Sequence, residues 1–99
     1  MTDDVQWFDD RKAEITEHLK VITNGLIELA KAAGMTRFTK NQLLIECYNL
    51  KDCEVKTLDE WHALGYYVKR TEHAYLFWDN NGEPVMKFAD WQLQVQQLS

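Results

Sequence analysis

Tyr67, Lys69 and Arg70 set one aromatic ring beside two cations near the middle of the chain. On an extended segment, residues two apart project to the same side. Tyr67 and Lys69 therefore suit a surface that stacks a base and neutralises the adjoining phosphate, as single-strand binders do. Arg70 adds a second phosphate contact, and Trp78 a second ring. Four further cations, Arg37, Lys40, Lys51 and Lys56, are interleaved with Phe38, Tyr48, Trp61 and Tyr66. Of these cations, Arg37 and Lys40 join the candidate nucleic-acid surface.

Catalysis has much less behind it. His18, His62 and His73 are single and far apart. There is no His-Glu-x-x-His, no Cys-x-x-Cys, no phosphate-cradling glycine loop and no nucleophile elbow. The expectation is a protein without catalytic residues, metal or cofactor. Cys47 and Cys53 lack metal-ligand spacing and read as reduced structural thiols.

Charge restricts the nucleic-acid reading. The chain carries a net −5, unevenly spread. Residues 1–34 hold seven acids against four bases, residues 35–70 five against six, and residues 71–99 four against one. Only the middle third has the basic surplus that phosphate binding draws on. Binding to DNA is therefore expected to be weak.

The elements that must position these groups are legible from capping and periodicity. Ninety-nine residues make a single domain, 1–99. No apolar run is long enough to span a bilayer and the acidic start lacks an apolar leader, so the expected location is the cytosol. Phe8, Ile15, Leu19, Ile22, Leu26, Leu29 and Ala33 form one stripe, which predicts a single long helix over about 5–33. Gly25 interrupts it, and Gly34 stops it. The stripe is also long enough to pair with a second copy, giving a homodimer through the N-terminal helix. Thr39 with Gln42 and Thr57 with Glu60 are two capping boxes, predicting short helices after each. Gly65 ends the second.

Beyond Gly65 the chain reads as sheet. Residues 66–68, 74–78 and 84–88 are expected to be its strands. Asn81-Gly82 predicts a tight hairpin within 74–88, with Tyr75, Phe77, Met86 and Phe88 on the core face. Pro84, which cannot donate to a ladder, should begin the last strand or lie on an edge. Residues 90–98 close the fold as a short helix or extended tail. The fold class is α+β: a long N-terminal helix and two short ones packed on one face of a small antiparallel sheet.

The stretch Trp61, Leu64-Gly65, Val68-Lys69-Arg70 and the aromatic strand after it resembles the N-terminal domain of ArdC-type antirestriction proteins. The likeness extends back to Asn41-Gln42-Leu43-Leu44-Ile45 and covers roughly residues 38–78. It departs at Thr71, where the family has Gly, at His73, where it has Lys, and at Leu50, where it has Pro. The resemblance implies a single-stranded-DNA-binding module from a phage or mobile genetic element. It adds Asn41 to the candidate surface. The family usually continues into a metalloprotease domain, for which this chain has no room, so a stand-alone module is expected.

A competing expectation comes from the acidic flanks. A negative face can imitate a DNA backbone and occupy a DNA-binding enzyme by complementary charge. Asp9, Asp10, Glu14 and Glu17, with Asp3, Asp4 and Glu28, would form such a face toward a host defence protein, in the manner of an anti-restriction or anti-CRISPR inhibitor.

Overall fold

The computed structural model describes residues 3–94. Its helices are α1 (Asp3–Asp10), α2 (Lys12–Ala32), α3 (Lys40–Cys47) and α4 (Leu58–Ala63). Its strands are β1 (Val55–Lys56), β2 (Tyr75–Trp78) and β3 (Pro84–Ala89), followed by a 3-10 turn over Asp90–Gln92. The class is α+β, as read from the pattern. Of the expected closing segment, residues 95–98 lie outside the described residues.

The N-terminal helix is two helices, not one. It breaks at Arg11, whose φ of −122° and ψ of 21° leave the helical region. Asp9 and Asp10 crowd the last turn of α1, where no base is present. Carboxylates at the negative end of the helix dipole oppose its continuation. The buried stripe of α2 also differs from the expected one. Ile15, Leu19, Thr23 and Ala30 are buried, whereas Leu29 and Ala33 are exposed. The core is drawn toward Thr23 because its hydroxyl takes the Trp78 indole N–H at 3.0 Å. That hydroxyl in turn donates to the Leu19 carbonyl at 2.7 Å.

Both capping boxes close. Thr39 and Gln42 exchange bonds of 3.1 and 2.8 Å at the head of α3. Thr57 and Glu60 exchange bonds of 3.2 and 2.9 Å at the head of α4. Both helices end with a left-handed residue. Tyr66 N–H reaches back to the Trp61 carbonyl across Gly65, at φ 88°. Leu50 N–H reaches the Ile45 carbonyl across Asn49, at φ 59°. Asn49 is a non-glycine residue able to hold that conformation.

The sheet has the order β1-β3-β2, all antiparallel. Its third strand is Val55–Lys56, not residues 66–68. Val68 makes an isolated bridge to Leu93 instead. The outer edge of the hairpin is met by the Asn41 and Tyr48 side chains.

The hairpin register is one residue away from the expected one. Phe77 opposes Val85 and Trp78 opposes Pro84. Asp79 N–H bonds the Glu83 carbonyl at 2.8 Å, and Gly82 N–H bonds the Asp79 carbonyl at 3.2 Å. The tip is thus a three-residue loop, a turn closed by Gly82 at φ 76°. The Asp79 side chain favours it over the two-residue tip by accepting from the Asn81 and Glu83 N–H groups. A one-residue slip reverses which side chains share a face. Phe77 and Phe88 consequently point to opposite faces, and both are buried.

Each face has its own core, so the helices do not all pack on one side. Phe77 packs with Leu19, Leu44, Leu50, Trp78 and Ala89. Phe88 packs with Trp61 and Val68, under α4. The Trp61 indole N–H donates to the Phe88 carbonyl at 2.9 Å, fixing α4 to β3.

Candidate nucleic-acid interface

β2 is an edge strand, and α3 closes its edge. Asn41 Nδ2 donates to the Trp78 carbonyl at 2.8 Å, and Trp78 N–H donates to Asn41 Oδ1 at 2.8 Å. At the C-terminal cap of α3, the Tyr48 hydroxyl donates to the Leu76 carbonyl at 2.9 Å. In an antiparallel pair, alternate residues turn their backbone groups outward. Leu76 and Trp78 are those residues here, and α3 meets them with side chains instead of a fourth strand.

This corrects two of the expected binding residues. Asn41 has both amide atoms engaged with Trp78 and is a structural clamp. Trp78 is 8 % exposed. Its ring packs in the core with its N–H on Thr23, so it offers no stacking face. Lys40 lies over that ring, its Nζ 5.5 Å from the centroid. Arg37 is exposed and lines a shallow groove of about 260 Å³ with Met35, Phe38 and Lys51.

Tyr67, Lys69 and Arg70 are held by a different part of the chain. Lys69 N–H donates to the Gln92 carbonyl at 3.0 Å, and Gln94 N–H donates to the Tyr67 carbonyl at 2.7 Å. Val68 points into the Phe88 core between them. Tyr67 is 55 % exposed. Its ring sits 5.0 Å from the His62 ring, tilted by 46°. Lys69 Nζ lies 3.4 Å from the Trp91 carbonyl. Trp91 is 48 % exposed and meets Tyr75 edge-on at 6.4 Å.

Trp91 and His62 are the residues that the sequence reading missed. Trp91 reaches this surface only because the 3-10 turn brings the closing segment against residues 67–69. Gln92, fully buried, makes that turn. Its Oε1 accepts the Ala89 N–H at 2.8 Å, and its Nε2 donates to the His73 carbonyl at 2.7 Å. No local pattern announces a buried glutamine. His62 could have been found from its place four residues after Leu58 on α4 and five before Tyr67.

The seven expected residues therefore do not form one surface. Lys40, Asn41 and Trp78 gather at the C-terminal end of β2, and Arg37 lines the groove beside α3. Tyr67, Lys69 and Arg70 gather with Trp91 near Tyr75 at the N-terminal end of β2.

The acidic residues do not converge either. Asp9, Asp10, Glu14 and Glu17 are all exposed, but the break at Arg11 separates the first pair from the second. Asp9 lines a groove with Leu58 and Met86, whereas Glu14 lines another with Trp7, His18 and Leu76. Asp10 accepts from Gln6, and Glu17 pairs with Lys20 at 3.4 Å. The side chains of Asp3 and Asp4 lie outside the described residues.

Two groups titrate away from their ordinary values. Burial raises the Tyr48 phenol, helped by the neighbouring Cys47 and opposed by the bond to Leu76. The Thr57 backbone N–H, and then its hydroxyl, lower the Glu60 carboxyl. Neither group lies on the Tyr67–Trp91 surface. Among the described residues, no three His, Cys, Asp or Glu side chains gather as metal ligands, and no helix is long and apolar enough to cross a membrane. Both cysteines are free, and Cys47 is exposed rather than buried. Comparison with protein-family models, with curated proteins and with solved structures gives no match.

Proposed function

We propose that the protein is a non-enzymatic module that binds single-stranded DNA weakly through Tyr67, Lys69, Arg70 and Trp91. The observation that carries this reading is two half-exposed rings, Tyr67 and Trp91, on chain segments that pair with each other, with Lys69 Nζ 3.4 Å from the Trp91 carbonyl. Sequence-tolerant single-strand binding needs that combination of aromatic platforms and a cation. The surface rests on a rigid base, since Val68 and Gln92 are buried directly beneath it. The resemblance of residues 38–78 to the antirestriction domain supports the same ligand. In this reading, the stretch from Asn41 to Ile45 shared with that family serves the fold, and the shared Val68-Lys69-Arg70 serves the ligand.

The rival reading, an inhibitor that binds a host defence protein through Asp9, Asp10, Glu14 and Glu17, has less support. Its carboxylates are divided between two helices that face different grooves.

Titration of a fluorescently labelled oligothymidine at low salt tests the proposal. Binding that weakens about tenfold in Trp91→Ala or Tyr67→Ala, the stacking loss of ~1–3 kcal/mol per base, supports it. Absence of binding at low salt, or indifference to both substitutions, removes it.

A further inference from the structure

One side of β3 is only partly covered. Its pairing with β2 runs over Pro84 to Lys87, but its pairing with β1 covers only Phe88 and Ala89. β1 stops at Lys56 because Thr57 caps α4 and the chain turns into the helix. Alternate residues of an antiparallel strand turn their backbone groups to alternate neighbours. The bond from Asp79 N–H to the Glu83 carbonyl sets the phase, so Val85 and Lys87 face β2. Pro84, Met86 and Phe88 therefore face the β1 side, and the Asp90 N–H on the Glu54 carbonyl continues that alternation. Phe88 finds Lys56 there. The Met86 N–H, the Met86 carbonyl and the Pro84 carbonyl meet no strand.

A groove of about 370 Å³ lies along this bare stretch. Pro84, Val85 and Met86 line it, with Phe8 and Asp9 of α1 and with Thr57, Leu58 and Asp59 at the head of α4. Asp9 and Asp59 are exposed, and neither has an ion-pair partner among the described residues.

We infer that this groove binds an extended peptide segment of another protein, one with two consecutive basic residues, as a short added strand on β3. The backbone selects extended chain. A peptide residue opposite Met86 in antiparallel register exchanges both hydrogen bonds with it, and the N–H two residues further on reaches the Pro84 carbonyl. The aspartates select the side chains. Successive residues of a strand project to opposite faces. The peptide residue opposite Met86 projects to the face of Phe88, which α4 covers and where Asp59 stands. Its successor projects to the face of Val85, which α2 covers, and α1, leading into α2, carries Asp9. Two consecutive bases thus reach one carboxylate each. A nucleic acid does not suit this groove, because the only charges that line it are negative.

A library of random heptapeptides displayed on phage, panned against the whole chain, tests this. Enriched sequences should carry consecutive Lys or Arg residues. Synthetic copies titrated into isotope-labelled protein should shift the Met86 amide resonance. N-methylation of the peptide, one position at a time, should weaken binding about tenfold at alternate positions and spare those between. Asp9→Asn and Asp59→Asn should each weaken it about threefold, as loss of one exposed ion pair does, with amide dispersion unchanged. Failure to enrich any sequence overturns the inference. So does enrichment without consecutive bases, binding that leaves the Met86 amide unmoved, or an N-methyl scan without alternation.

Discussion

The side chain of Asn41 and the backbone of Trp78 share two hydrogen bonds of 2.8 Å, one in each direction. A single amide thereby satisfies both outward-facing backbone groups of an edge-strand residue. This is how the sheet ends without a further strand, and it protects the edge from pairing with another chain. Leaving a buried donor or acceptor unsatisfied costs about 1–3 kcal/mol. Asn41→Leu should accordingly lower the urea midpoint by that amount of stability. Asn41→Asp keeps the acceptor and should retain part of it. Neither change should alter oligonucleotide affinity measured where both proteins are folded.

Tyr48 is the second clamp on that edge. Tyr48→Phe removes the bond to the Leu76 carbonyl and should cost about 1 kcal/mol. The pH dependence has a definite sign. The folded protein holds the phenol proton above its ordinary value of 10.0. The contribution is intact below that value and is lost as pH rises through the higher folded one. Alkaline unfolding followed by circular dichroism should show a steep limb above about pH 10. Tyr48→Phe should make that limb shallower.

Glu60 works in the opposite direction. Its bonds to Thr57 hold the carboxyl below its ordinary value of 4.5. The stability it contributes is present above that value and fades as pH falls through the lowered one. Glu60→Gln keeps a side chain able to accept from the Thr57 N–H, yet should flatten the acid limb of the stability profile. Thr57→Ala removes the cap and should cost about 1 kcal/mol at neutral pH, read as a shift in urea midpoint.

Asn49 ends α3 in the left-handed conformation at φ 59°. A residue with a Cβ and no local hydrogen-bonding side chain pays roughly 1–2 kcal/mol there. Asn49→Ala should destabilise the fold by about that much, and Asn49→Gly should leave it equal or slightly more stable. Thermal melts of the two variants side by side would show the difference.

How far these features can be read from the sequence depends on their range. The capping boxes at Thr39 and Thr57 and the stop at Gly65 are local, and all three are visible as patterns of four or fewer residues. The α+β class follows from them together with the aromatic and β-branched runs beyond Gly65. The hairpin is visible too, but its register depends on whether Asp79 captures the Asn81 and Glu83 N–H groups, a side-chain contest that the Asn-Gly pair alone does not decide. The break at Arg11 opposes a periodicity that runs straight through it. The third strand has two residues, too short for any pattern. At the candidate surface, Tyr67 and Lys69 are legible because they are neighbours. Trp91 is not, because its position depends on a buried glutamine bonded across nineteen residues of chain to the His73 carbonyl. Trp78 and Asn41 mislead because an aromatic ring and an amide look alike in sequence whether they serve the fold or a ligand.

The central claim is that Lys69 and Arg70 neutralise phosphates of single-stranded DNA beside the Tyr67 and Trp91 rings. The salt dependence of oligonucleotide affinity measures this most directly. Each phosphate neutralised on a single strand contributes a slope of about −0.7 in log affinity against log salt. Lys69→Ala with Arg70→Ala should make the measured slope shallower by about 0.7–1.4, the contribution of one to two phosphates, and leave the urea midpoint unchanged. A slope identical in the wild-type protein and the double variant would contradict the account.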